Sequence, residues 1–325
     1  MHTKNLSLTL LASFLLAATT ATAQSDYPTK PVRLVHGFTP GGISDVLART
    51  LGAKLTPGLN GQQVLVEPRP GAGTTIASDL IAKAPGDGYT LFLQDMTTHA
   101  INARLYRRLP YDPVRDFTPI TLVAASPLML VVHPSLPVKN LKDLLALAKK
   151  RPNDLVHGSS GNGTIVHLAA EMMKSMAAVK MVHAPYKGSP QVVAGLLGGE
   201  VALSFATLPP VLPNIEAGRL RGLAVTTPQR SDVAPNIPTM KEAGLKDFEL
   251  VLYTGILGPR GMPRPIVDRL NSEFAKVVKL ADVQNIYKKV GAVAHTSTPD
   301  EFAAHIKLEM AKLGKLVDLS GARID

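Results

Sequence analysis

The chain has 325 residues, 45% of them hydrophobic, a formal charge of +10 and no cysteine. That length exceeds what one core usually supports, so two domains are expected, and the missing cysteine excludes a disulfide framework, a thiol nucleophile and a lipid-bearing cysteine. The basic balance favours anionic partners, but the basic residues are scattered and aromatics make up only 5%, which argues against nucleic acid.

His2 and Lys4 precede an apolar run from Leu6 to Ala18 that is too short to span a bilayer, and Ala21-Thr22-Ala23 supplies the small residues of a cleavage site. The expectation is a signal peptide over residues 1–23, a mature chain starting at Gln24, and a soluble periplasmic protein. Beyond it, short β-branched runs alternate with helical patterns. Val32 to His36, Gln63 to Glu67, Thr90 to Gln94, Leu155 to Gly158, Val201 to Phe205 and Leu223 to Thr226 read as strands. Ser44 to Leu55, Thr74 to Lys83, Leu141 to Lys150, Thr164 to Met176 and Pro190 to Leu197 read as helices, the third capped by Asn140. Such alternation means βαβ units, hence an α/β fold with mostly parallel sheets flanked by helices.

Three consecutive helical patterns close the chain: Pro263 to Lys279, Val283 to Lys289 and Asp300 to Leu319. Their apolar stripes need a surface to bury, and the lobe begun by the N-terminal strands is the available one. Two long extended segments, Ile120 to Val132 and Phe248 to Leu257, can cross between lobes. The expected organisation is one lobe from residues 24–126 plus 251–325, a second from residues 127–250, and a ligand cleft between them.

Two glycine-rich turns carry the best functional clue. Phe38-Thr39-Pro40-Gly41-Gly42-Ile43-Ser44-Asp45 and Ser159-Ser160-Gly161-Asn162-Gly163-Thr164 each follow an apolar run and open a helix. Such a turn presents free backbone N–H groups and the positive end of a helix dipole, an anion site. Phe38 beside the first adds an aromatic wall suited to a carboxylate on an apolar body. Ser44 and Asp45 fall where a helix cap belongs, and Asp45 has no partner at metal-ligand spacing, so no metal is expected. His167, one turn into the second helix, is of a kind more often found capping or packing than touching ligand. Arg69-Pro70-Gly71-Ala72-Gly73-Thr74-Thr75 lacks the third glycine of a dinucleotide fingerprint, and no cofactor is expected. No G-x-S-x-G, H-E-x-x-H or phosphate-loop pattern occurs, so catalysis has no positive support.

The chain resembles the Bug-type periplasmic solute receptors of tripartite tricarboxylate transporters. The resemblance runs through Tyr27-Pro28-Thr29-Lys30-Pro31, Thr39-Pro40-Gly41-Gly42 with Asp45, Arg69-Pro70-Gly71-Ala72-Gly73, Asp87-Gly88-Tyr89-Thr90-Leu91 and Leu109-Pro110-Tyr111-Asp112-Pro113. It continues through Ser160-Gly161-Asn162-Gly163-Thr164 with His167-Leu168, Pro185-Tyr186-Lys187-Gly188, Leu223-Ala224-Val225-Thr226 and Thr298-Pro299-Asp300-Glu301-Phe302. It implies a two-lobed Venus flytrap, monomeric, that captures a small carboxylate and hands it to membrane permease subunits. The first turn would hold one ligand carboxylate, with Phe38, Thr39, Gly42, Ser44 and Asp45 at that end. Ser160, Gly161, Gly163, Thr164 and His167 would face them from the other lobe, with Tyr186 nearby and Thr97 and Thr98 as further candidates.

Two departures bear on the ligand. Ala206 stands in a stretch where members of the family often have the Asp that meets an amino-acid ammonium, and Thr75 stands where many have Asn. The resemblance therefore implies a carboxylate or dicarboxylate without an amine, with an aromatic body among the options. Two other functions compete: a loaded protein that signals to a membrane sensor ectodomain, and an exported hydrolase using a serine of a glycine turn.

Overall fold

The structure is a computed structural model and describes residues 27–320 and 323–324. The expected signal peptide and its cleavage site lie outside the described residues. Strand β1 (Val32–His36) pairs in parallel with β2 (Val64–Pro68) on one side and β3 (Thr90–Asp95) on the other. Farther along the chain, β5 (Val156–Ser159) lies parallel between β6 (Val182–Pro185) and β7 (Leu203–Thr207). These two parallel sets are joined through the longest strand, β4 (Phe117–Val132). Its first part runs antiparallel to β9 (Val251–Pro259) and to the short β10 (Val293–Ala294), and its last part antiparallel to β7 and β8 (Arg221–Val225). Strand β9 also pairs antiparallel with β3, so the sheet is parallel at its flanks and antiparallel at its centre.

At the crossing, Pro127 sits opposite Val251, while the Leu128 amide donates to Thr226 Oγ1 (2.9 Å) and the Leu250 amide to the Thr226 carbonyl (3.0 Å). The two extended segments expected to cross are thus β4 and the chain entering β9. Helices cover both faces: α1 (Ile43–Leu55), α2 (Thr75–Ala82), α3 (Met96–Leu105), α4 (Leu141–Lys150), α5 (Ile165–Ala177), α6 (Ser189–Leu197) and α7 (Leu208–Glu216). The C-terminal α8 (Arg264–Val277), α9 (Ala281–Lys289) and α10 (Pro299–Ser320) fold back on the first half, α8 against α1 and β4 and α10 against α3. Their stripes, Leu270, Phe274 and Val277 on α8 and Phe302, Ile306, Leu313 and Val317 on α10, are buried. Among the described residues no helix is long and apolar enough to cross a membrane.

Helices α3 and α7 have no clear helical pattern in the sequence, for different reasons. Helix α3 is enclosed on nearly every side, with Thr97, Thr98, His99 and Asn102 as buried as Ile101, so no polar face betrays its period. Within it, His99 donates from Nε2 to the Pro113 carbonyl at 2.7 Å and lies edge-on to the Phe117 ring at 5.0 Å. Helix α7 begins Leu208-Pro209-Pro210 and contains Pro213, which reads as a turn. The first two prolines fall in its first turn, where a missing N–H costs nothing.

Candidate functional site

One cleft is lined from both halves of the sheet. Phe38, Thr39, Gly42, Ile43, Ser44 and Asp95 come from the first half, Ser160, Thr164, Ile165, Val166, Ser189 and Thr207 from the second, and Leu252 from the crossing strand. Both glycine turns therefore open onto the same space. Three more helices join them. Gly42 is the N-cap of α1, Asp95 of α3, Thr164 of α5 and Thr207 of α7, and Ser189 is the first residue of α6. Five helix N-termini, each bringing the positive end of a dipole, converge on one cleft, although the prolines at the start of α6 and α7 offer no amide and Asp95 already takes the Thr97 amide of α3.

In the first turn, the left-handed backbone belongs to Gly41 (φ +86°), whereas Gly42 is extended at φ −86° and ψ 174°. No side chain caps α1. Ser44 and Asp45, expected at the cap, sit inside the helix. Asp45 turns back to accept from the Gly41 amide (3.2 Å) and from Arg49 Nε (3.0 Å), with His36 Nε2 at 3.3 Å but out of hydrogen-bond alignment. Burial disfavours its ionised form, yet Arg49 and the Gly41 amide hold its carboxyl below the usual range. Asp45 shapes the turn and lies outside the lining.

The second turn is braced from behind. Thr164 Oγ1 donates to the Gly161 carbonyl (2.9 Å) and accepts from the His167 amide, and Ser160 Oγ points to Thr164 Oγ1 (3.2 Å). Gly163 (φ +73°) approaches α3 so closely that an added Cβ would lie 1.7 Å from Leu105 Cδ2, which only glycine permits. The His167 ring lies behind the turn, where its Nδ1 accepts from the Gly163 amide at 3.2 Å. It stacks on His183 (3.9 Å between centroids), which stacks on His157 (4.9 Å) and whose Nε2 is 2.6 Å from Ser159 Oγ. Burial and the neighbouring imidazoles push His183 down to about 3, so the stack is neutral at that ring. Burial works against ionised Glu171, but His157, His167 and Lys174 hold its carboxyl far below the usual range. Among the described residues no cluster is arranged to hold a metal ion, and these stacked rings present faces rather than converging lone pairs.

Of the residues expected at the site, Phe38, Thr39, Gly42, Ser44, Ser160 and Thr164 line the cleft. Gly161, Gly163 and His167 build the second turn without lining it, and Thr97 and Thr98 lie buried just behind Asp95. Tyr186 points elsewhere, packing on Gly195 and donating to Glu200 Oε2 at 3.0 Å. Ala206 belongs to an apolar cluster with Met129, Val131 and Leu208; the residue of that stretch that faces the cleft is its neighbour Thr207. Gly73 and Ala72 of the third glycine segment are fastened to α3 instead, their carbonyls accepting from Asn102 Nδ2 and Tyr106 OH at 2.8 Å each.

The sequence reading missed Ser189, Thr207 and, the one acid among them, Asp95. Its Oδ1 accepts from the Thr97 amide (2.8 Å) and its Oδ2 from Thr98 Oγ1 (2.6 Å), the geometry of an N-cap. Burial raises its carboxyl above the ordinary value against the pull of those donors. An acid directly after a buried strand, with hydroxyls two and three residues on, was the available signal, hidden because α3 itself was not recognised.

Two half-sheets joined by crossing strands, with helix N-termini meeting in the cleft between them, define the architecture of a two-lobed solute-binding protein. The chain belongs to the tripartite tricarboxylate transporter family of receptors (TctC), which its residues 47–321 match. Protein BugT of Bordetella pertussis is 35% identical over 301 residues, covering 92% of this chain and 91% of BugT. The structure of R. palustris Rpa4515 with adipate is 37% identical with a TM-score of 0.88, covering 92% of this chain and all of that one. MatC from Rhodopseudomonas palustris with bound malate is 28% identical with a TM-score of 0.84, covering 90% of this chain and all of that one.

Proposed function

We propose that this protein captures a small dicarboxylate in the cleft and delivers it to a membrane permease of the tripartite tricarboxylate type. The observation that carries this is the convergence of five helix N-termini on a cleft whose described lining contains no lysine, arginine or histidine. Anion recognition there falls to backbone amides and hydroxyls, which fit carboxylate oxygens at short range. Adipate and malate in the two neighbours are dicarboxylates, in keeping with this reading. The lobes are residues 24–126 plus 251–325 and residues 127–250, with Phe38, Thr39, Gly42 and Ser44 holding one carboxylate and Ser160, Thr164 and Ser189 the other.

The protein acts in the periplasm after cleavage before Gln24. Recovery of soluble periplasmic protein beginning at Gln24 or a near neighbour is the expected result, and Met1 on membrane-bound protein would refute it.

Because the two ends of the ligand meet opposite lobes, both are satisfied only when the cleft is shut. A dicarboxylate of matched length should bind more tightly than its monoamide by roughly 1.5 to 3 kcal/mol, the scale of a hydrogen bond to a charged group. Scattering should show a smaller radius of gyration on binding. Equal affinity for acid and monoamide with no compaction would sink the two-ended grip, and no binding by any carboxylate would sink the receptor reading.

A further inference from the structure

Resting on that reading, we propose that Asp95 and Thr207 make the cleft selective for a dicarboxylate that bears a hydrogen-bond donor, a hydroxyl or ammonium group, on its carbon chain. Among the described lining residues Asp95 is the one ionisable side chain. Its two oxygens are held by the cap of α3 at 2.8 and 2.6 Å, and the carboxyl borders the cleft, where a donor on the ligand can approach it.

Thr207 faces it from the other half-sheet. Its residue is 94% buried by its 6% exposure, it lines the same cleft, and Oγ1 has no partner within the protein. It caps no amide of α7 although it stands at the cap position. A hydroxyl buried this deeply without a partner costs stability unless something in the cleft bonds to it.

The surroundings sharpen the demand. Glu309 of α10 is buried too, and burial, with Asp95 adding to it, raises its carboxyl above the ordinary value. An unsubstituted dianion would bring its charge towards this acidic wall with nothing to offer it, whereas a hydroxyl or ammonium donates to it. Discrimination by leaving a buried polar group unpaired is strong, because the penalty falls entirely on the wrong ligand. The acid that Ala206 lacks is thus supplied from the opposite wall.

The test is calorimetry with length-matched sets: succinate, malate and aspartate at four carbons, adipate and 2-aminoadipate at six. At whichever length binds, the donor-bearing member should bind at least tenfold more tightly, and Asp95→Asn should bring the ratio near one. Asparagine also caps helices well, so α3 is kept, and the wild-type ratio decides the matter even where the variant does not fold. An unsubstituted acid binding as tightly as its substituted partner overturns the proposal, as does a preference undiminished in Asp95→Asn. Malate and aspartate both above succinate would show that Asp95 accepts from either donor; one alone would name it. Absence of binding by all five would instead overturn the dicarboxylate reading beneath the proposal.

Discussion

Gly42→Val should give a folded protein that has lost most of its ligand affinity. The extended backbone at Gly42 is one that valine prefers, and an added Cβ meets nothing closer than the Thr39 carbonyl at 3.7 Å. Folding should therefore change by less than about 1 kcal/mol. The isopropyl group, however, stands over the uncapped start of α1 at the cleft wall. Losing hydrogen bonds from those amides to a carboxylate removes roughly 1.5 to 3 kcal/mol, about ten- to a hundredfold or more in affinity. Gly41→Val is the control, since its φ of +86° opposes any β-branched residue whatever space surrounds it, at about 1 to 3 kcal/mol of stability. Calorimetry and thermal melts on both variants should separate a binding lesion from a folding lesion. Unchanged affinity in folded Gly42→Val would remove the first turn from the site.

The second expectation concerns acid. His99 is fully buried, and that burial pushes its imidazole from 6.5 down to about 4, against the pull of the Pro113 carbonyl. Between those values the unfolded chain binds a proton that the folded protein refuses, so acid favours unfolding. The stability that His99 contributes is complete above about 6.5, erodes as the pH falls from there towards 4, and is gone below, where both states are protonated. The whole loss is roughly 3 kcal/mol. His99→Gln keeps a donor for the Pro113 carbonyl and cannot titrate. Urea titrations from pH 7 to pH 4 should show a shallower loss of stability in the variant by about one proton's worth; identical slopes would show that His99 is not the group responsible.

The periodic parts of the fold were legible from the residues. Strand β1 and helix α4 fall where alternation and the Asn140 cap place them, and most other elements are displaced by one or two residues. Asn140 Oδ1 accepts from the Asp143 amide at 2.9 Å, the local chemistry the sequence implies. What was not legible lacked a surface signature: α3 is buried all round, and α7 is written in prolines. The site followed the same division. Gly42, Ser160 and Thr164 sit in turns whose composition advertises them, and they line the cleft. Asp95, Ser189 and Thr207 reach it only because strands distant in sequence lie side by side, as β3 and β9 do. Tyr186 and Ala206 were drawn towards the ligand by their place in the chain, but a strand alternates its faces, and in β7 it is Thr207 that reaches the cleft.

The pairing of β4 with β9 also dictates the order in which the molecule can assemble. Phe117 is opposite Pro259 and Pro127 opposite Val251, so these partners are more than 120 residues apart in the chain. The strands between them, β5 to β8, find their partners among themselves and the last residues of β4, at shorter separations. Closing long loops costs entropy before any contact is gained. The middle of the chain and the β1 to β3 set can therefore each condense by themselves, while the edge at β3 stays uncovered until β9 inserts beside it and α10 settles on α3. A chain entering a new compartment from its N-terminus would expose that edge longest, which makes β3 the segment most in need of protection from aggregation while the protein is being made.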